Sequence, residues 1–146
     1  MNPPTLRPMT MADYDGVIAL MHQTPGVSVR EADSREAIQR YLLRNPGLSF
    51  VAEDGAALVG CIMSGHDGRR GYLQHLLVVP AYRERGVASA LIEACLAGLE
   101  AIGILKSHID VLATNETGQR FWARRGWILR TDLRRYSFVQ SGGDNV

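Results

Sequence analysis

The pattern of apolar and polar residues predicts two helices near the start of the chain. Both segments carry apolar residues three and four positions apart, which is the spacing of one helix face. Thr10 or Asp13 can cap the first helix, which ends near His22. The second helix covers residues 34–44. A short strand at residues 5–9 precedes them.

The middle of the chain favours strands joined by tight turns. Residues 48–53 and 57–63 are rich in apolar and β-branched side chains, and Asp54-Gly55 between them is typical of a hairpin turn. Residues 72–79 form the third strand of this meander. Because that segment is mostly apolar, we expect it in the interior of the sheet.

The second half of the chain predicts two more helices and three more strands. A long helix begins at Arg85-Gly86 and ends near Ile102, and a shorter helix covers residues 115–125. The predicted strands are residues 107–112, 127–129 and 135–139. The element order predicts an α/β (α+β) fold with one mixed, mostly antiparallel sheet of six to seven strands, flanked by about four helices.

Composition narrows the class of protein without naming a function. The 146 residues, 46% of them hydrophobic, fit a single domain, which we place at residues 1–140 with a flexible tail at 141–146. A net charge of +1 argues against nucleic acid as a partner, and the short apolar runs argue against a membrane span. Cys61 and Cys95 are interpreted as buried and reduced, so we expect a cytoplasmic protein.

The segment that carries chemistry is the turn that follows the third meander strand. This apolar strand leads through Pro80 directly into a helix N-terminus. Such a terminus has unpaired backbone N–H groups and a positive dipole, which together suit a phosphate. Gly86 and Ala88 keep the backbone accessible, while Arg83 and Arg85 add positive charge. The turn therefore predicts a site for a nucleotide diphosphate.

These residues resemble a known family. Arg83-x-x-Gly86-x-Ala88, after a strand that ends in Val-x-Pro, looks like the acetyl-CoA motif of the GCN5-related N-acetyltransferases. Asn115-x-x-Gly118-x-x-Phe121-Trp122, followed by Gly-Trp, is similar to a second signature of that family. The order of elements matches as well, so the resemblance covers nearly the whole chain.

The resemblance implies a ligand and a reaction. Acetyl-CoA is the co-substrate, no metal takes part, and the acetyl group passes directly to a primary amine of a small molecule or protein. The pantetheine arm pairs with main chain, and the diphosphate lies on the amides of the turn. The implied cofactor-binding residues are Leu76, Leu77, Val78, Arg83, Glu84, Arg85, Gly86, Val87, Ala88, Ser89, Asn115 and Trp122.

The chain departs from the family where acid and base are expected. Many members have a Tyr where this chain has Trp122, and an indole N–H is not a useful acid. Several members have a Glu on the central strand near Tyr72, and this chain has none there. His75 and, second, Tyr72 are the candidate catalytic residues. His66-Asp67 is interpreted as part of a turn rather than as a metal site.

Three hypotheses about function remain open at the level of sequence. The first is an N-acetyltransferase, the second is a non-catalytic acyl-CoA-binding regulatory module on the same fold, and the third is a structural α/β domain that does not bind acetyl-CoA. Trp122 and the missing strand Glu keep the second open. A homodimer is common in the family, and the sequence does not fix the oligomeric state.

Overall fold

The computed structural model describes residues 3–143 and 145–146, which fall into two units with their boundary between Ile109 and Asp110. The first unit holds a five-stranded sheet and three α-helices. Its strands are β1 (Thr5–Pro8), β2 (Phe50–Asp54), β3 (Ala57–His66), β4 (Gly71–Val78) and β5 (Ser107–Ile109). They lie side by side in chain order.

The sheet is a meander with one parallel strand at its edge. The pairs β1–β2, β2–β3 and β3–β4 are antiparallel, whereas β4–β5 is parallel. A parallel neighbour requires a crossover. The chain makes it with α3 (Val87–Ala101), the predicted long helix. The third meander strand is β4, and it lies inside the sheet as expected, between β3 and β5.

Helices cover both faces of the sheet. α1 (Tyr14–Gln23) and α2 (Arg35–Arg44) pack on one face, and α3 packs on the other. Ser34 caps α2, accepting a hydrogen bond from the Ala37 N–H. The core on the α1–α2 face consists of Met9, Val17, Leu20, Met21, Ile38, Val51, Cys61, Met63 and Leu77. Burial of each large side chain contributes about 1.5–3 kcal/mol, which fixes the register of the strands.

The second unit is built around α4 (Glu116–Arg124). Asn115 caps it, with the Oδ1 atom accepting the Gly118 N–H at 2.9 Å. Trp122 is buried and makes edge-on contacts with the rings of Phe121 and Trp127. The large apolar side chains of α4 therefore lie at its C-terminal end, where they contact one another and Trp127.

The predicted number of strands was too high. The structure has five rather than six to seven, because residues 127–129 and 135–139 form no strand. Apart from the half-buried Trp127, their apolar side chains are exposed, with Tyr136 at 90% and Phe138 at 88%. The predicted strand 107–112 is also shortened to β5. Alternating side chains give strand propensity, but a strand also needs a hydrogen-bonded neighbour.

Candidate active site

The turn between β4 and α3 presents backbone amides without a capping side chain. Glu84 and Gly86 both have left-handed backbones, with φ of 61° and 80°. Gly86 is the N-cap residue, and a Cβ added to it would meet nothing within 4 Å. Left-handed residues beside a helix start make successive N–H groups converge, and the helix dipole adds positive charge. The turn is therefore an anion-binding concavity open to a ligand.

The two arginines of the motif are fixed beside this turn. Arg83 donates from Nε to the Val78 carbonyl at 3.0 Å. The Arg85 guanidinium lies 5.4 Å from the centre of the Tyr82 ring. Tyr82 in turn donates a hydrogen bond to the Asp54 carboxylate, which raises the pKa of the Tyr82 hydroxyl. Both positive charges are thus held close to the place where a diphosphate would bind.

Within residues 3–143 and 145–146, no strand pairs with the C-terminal half of β4 on the side of β5, and we call this side its free edge. Its pairing with β5 covers only Gly71 to Leu73. The Val79 N–H donates to the Val59 carbonyl of β3, so the backbone groups of Val78 point away from β3. By the same alternation Leu76 faces the free edge, while Leu77 faces β3 and places its side chain in the core. An extended ligand arm could add to this edge as a further strand.

A β-bulge interrupts β4 at His75. Cys61 pairs with Leu77, and Met63 pairs with Gln74, so β4 carries one residue more than β3 over this interval. His75 has a φ of 53°, which is uncommon for a residue with a side chain. A bulge changes the direction of its side chain and disturbs the ladder locally. Here His75 has no residue paired with it on β3, so its side chain does not follow the alternation of the strand.

The bulge brings His75 to a buried carboxylate. The Nε2 atom of His75 lies 2.9 Å from Oδ1 of Asp33, and the two side chains are 19% and 7% exposed. Asp33 ends a short 3₁₀ helix, Glu31–Asp33. Its Oδ2 atom accepts the Arg30 N–H at 2.9 Å, and its carbonyl accepts the Tyr14 hydroxyl at 2.6 Å. The carboxylate is therefore rigidly held.

Asp33 is the site residue that sequence reasoning missed. It lies 42 positions before His75 in the chain. The sequence around it shows only a polar residue next to a helix cap, which is the most common role for such a residue. The sequence around Asp33 does not mark it by itself. A partner for His75 could be expected only because a partly buried histidine on a strand requires a polar group to bond with.

Tyr72 does not join this pair. Its side chain is 39% exposed, and its ring lies 5.6 Å from the ring of His108 on β5. Three residues along a strand separate it from His75 by roughly 10 Å. His66 and Asp67 form the predicted turn, because they accept backbone N–H groups of the loop residues that follow them.

Other candidate chemistries find no support in the described residues. Burial raises the pKa of the Cys61 thiol to about 12 and that of Cys95 to about 11, so neither supplies a thiolate. Within residues 3–143 and 145–146, no three His, Cys, Asp or Glu side chains are grouped as metal ligands would be.

None of the helices in this part of the chain is both long and apolar enough to span a bilayer.

Comparison with known proteins decides the family. The model of the acetyltransferase (GNAT) family matches residues 14–127, which include β4, the anion-binding turn and α4. This chain belongs to the GNAT family. An acetyltransferase of Pectobacterium atrosepticum is 36% identical over 104 residues, covering 71% of this chain and 73% of that relative. The resemblance drawn from the Arg83–Ala88 motif is therefore confirmed.

Solved structures agree on the fold. A GCN5-related N-acetyltransferase from Ralstonia eutropha superposes with a TM-score of 0.69 at 25% identity, covering 92% of this chain and 98% of that one. The PaiA N-acetyltransferase of Thermoplasma acidophilum, solved in complex with coenzyme A, gives 0.75 at 19% identity, covering 86% and 89%. For this GNAT protein, the predicted class of acetyltransferase with acetyl-CoA as co-substrate is confirmed at the level of the family.

Proposed function

We propose that this chain moves the acetyl group of acetyl-CoA directly onto a primary amine, with His75 as the general base. One observation carries the assignment: the β4 bulge places the His75–Asp33 pair directly before the free edge of the strand. A ligand arm on that edge would bring its thioester end toward the bulge. The chain continues from the C-terminal end of β4 to the anion-binding turn. The thioester end and the diphosphate end of one ligand would therefore bind to neighbouring parts of the chain.

The residues of the turn would hold the nucleotide end of acetyl-CoA. The amides of Glu84, Gly86 and the first turn of α3 face a diphosphate, and Arg83 and Arg85 neutralise its charge. Val87, Ala88 and Ser89 contribute backbone, and Leu76 and Val78 pair with pantetheine. Asn115 and Trp122 remain predicted contacts of the second unit.

The chemistry needs one proton acceptor and one leaving group. The ammonium of the acceptor gives a proton to the free ring nitrogen of His75, while Asp33 fixes the other nitrogen. The neutral amine attacks the thioester carbonyl, and a backbone N–H at the bulge stabilises the oxyanion. The tetrahedral intermediate loses the second amine proton to water and breaks its C–S bond, which leaves the neutral amide and the CoA thiolate. Because thiols have pKa values near 8.5, the CoA thiolate leaves without the Tyr that Trp122 replaces.

Two properties of the chain complete this proposal. We place the enzyme in the cytoplasm, because Cys61 and Cys95 are both unpaired and buried, as in a reducing compartment. We propose that its acceptor is a primary amine, carried either by a small molecule or by a protein.

Thiol release with a panel of amines tests the function. The purified chain, acetyl-CoA and each amine are mixed, free thiol is followed, and the product mass is measured. We expect a gain of one acetyl group on at least one amine. Tight acetyl-CoA binding by calorimetry with no release on any amine would instead establish a non-catalytic acyl-CoA-binding module.

A further inference from the structure

A cavity of about 470 Å³ lies between α2 and the strands β3 and β4. It begins at Asp33, the partner of His75, and follows α2 toward its C-terminal end. The polar residues of its lining are Asp33, Arg40, Tyr41, Arg44, Asn45 and Gln74. A space of this size accommodates a small organic molecule, and one end of it is lined by Asp33, which is hydrogen-bonded to the proposed base.

The charges along this cavity are divided between its two ends. The Asp33 carboxylate is at the end next to His75. Arg40 and Arg44 are four residues apart on α2, so they share one helix face. Both are exposed, and within residues 3–143 and 145–146 neither forms an ion pair. A negative end and a doubly positive end therefore face the same space.

Arg40 and Arg44 lack the acidic partners that other arginines of the described first unit have. Arg7 binds Asp13 and Glu53, and Arg35 binds Asp15, so acidic partners are available where the fold uses an arginine structurally. Like charges four residues apart on a helix repel each other, at a cost in helix stability. An anion bound between Arg40 and Arg44 would remove that cost and use the planar donor groups of both.

The wall between the two ends contains an unused polar atom. The Tyr41 hydroxyl is buried and has no hydrogen-bond partner in the described part of the chain. It lies against Gly65 of β3, where an added Cβ would be only 2.9 Å away. Burial raises the pKa of this hydroxyl. Such an atom in a cavity wall suits polar rather than purely apolar contents.

We propose that the acceptor is an amine that also carries an anionic group, a carboxylate or a phosphate, bound at Arg40 and Arg44. This inference rests on the proposed function, since the amine must reach His75. Asp33 attracts the ammonium to the base, and the arginines hold the other end. Asp33 precedes α2, and Arg40 and Arg44 lie about 8 and 14 Å along that helix from its first residue, so several bonds separate amine and anion in such a substrate. A polyamine, positive at both ends, would be repelled by the arginines.

Matched amines test the inference. We compare hexylamine, 6-aminohexanoate and 6-aminohexyl phosphate by thiol release, with shorter and longer homologues. We expect kcat/KM to be at least tenfold higher for the best anionic amine than for its plain counterpart. In a double variant, Arg40→Gln with Arg44→Gln, this ratio should fall to within about twofold of one, mainly through KM. Arg69→Gln, which changes an exposed turn arginine, should keep the ratio.

The outcomes separate the two proposals. Equal use of plain and anionic amines by the wild-type chain overturns the anionic acceptor and leaves the acetyltransferase in place. A preference that survives in the double variant overturns the role of the two arginines. If acetyl-CoA binds but no amine of either kind releases thiol, the proposed function is wrong and this inference is wrong with it. Comparison of carboxylate with phosphate identifies which anion the site takes.

Discussion

The turn after β4 and the bulge within β4 use different kinds of chemistry. The turn binds through backbone amides, and its central residue, Gly86, has no side chain. The bulge presents a side chain, His75, whose partner Asp33 comes from a distant 3₁₀ helix. The first site depends on neighbouring residues in the chain, and the second depends on tertiary packing.

Because the two sites differ in this way, the affinity for acetyl-CoA and the rate of acetyl transfer can change independently. An amide-based site, with positive charge added by Arg83 and Arg85, recognises the diphosphate of any CoA thioester. A side-chain pair can be altered by one substitution without disturbing the strand. We therefore expect variants of the two regions to separate affinity for acetyl-CoA from the rate of transfer.

The largest effect should come from His75→Gln. The amide can still bond Asp33 but cannot accept the ammonium proton, so kcat should fall by about 10²- to 10⁴-fold. The acetyl-CoA dissociation constant, measured by calorimetry, should stay within about twofold. A rate close to that of the wild-type chain would show that His75 is not the base.

Gly86→Glu tests the other region. A side chain at a φ of 80° is strained, and its carboxylate would repel the diphosphate, so the acetyl-CoA dissociation constant should rise about 100-fold. Gly103→Glu is the matched control, because Gly103 also has a positive φ and open space at its Cβ. Equal affinity in the two variants would contradict the anion site at the turn.

Asp33→Asn should give a smaller loss than His75→Gln. The buried amide cannot stabilise a positive imidazole, and one charge-assisted hydrogen bond contributes about 1.5–3 kcal/mol, so kcat should fall about 10- to 100-fold. The acetyl-CoA dissociation constant, measured by calorimetry, should not change, whereas a general loss of folding would weaken binding as well. An unchanged kcat would argue that Asp33 only packs against His75.

Much of the first region could be predicted from sequence, and little of the second. The long helix and its left-handed cap at Gly86 follow from neighbouring residues, so the motif from Arg83 to Ala88 was sufficient. His75 was named only as a lone strand histidine. Neither the bulge nor Asp33 leaves a local pattern, because both depend on the register of β3 against β4 and on a loop before α2.

The same limit explains the error in the fold. Residues 127–129 and 135–139 have the composition of strands, yet form none. Helices α2 and α4 were placed within one or two residues, since caps at Ser34 and Asn115 mark them locally. Pairing of distant segments, in contrast, cannot be read from alternation alone.

The smallest effect should come from a variant outside both regions. Asp13 is buried and accepts two hydrogen bonds from Arg7, at 2.7 and 2.9 Å. These bonds lower the pKa of the Asp13 carboxyl in the folded chain. Asp13→Asn should reduce the free energy of unfolding by about 1–2 kcal/mol at pH 7 without changing kcat.

The sign of the pH dependence follows from that lowered pKa. The Asp13 carboxylate stabilises the fold fully above its ordinary value near 4, and this contribution is lost as the pH falls through the lower folded value. Urea unfolding at pH 7, 5 and 3 should therefore show the gap between wild type and variant closing at acid pH. A gap that is constant across this range would mean that packing, not charge, links Asp13 to Arg7.

A crystal structure with coenzyme A tests the central claim, that β4 serves both ends of one ligand. We predict diphosphate oxygens about 3 Å from the backbone nitrogens at the start of α3, pantetheine amides on the free edge of Leu76 and Val78, and the thiol beside His75. A coenzyme whose phosphates lie away from Gly86, or whose thiol lies far from His75, would contradict the account.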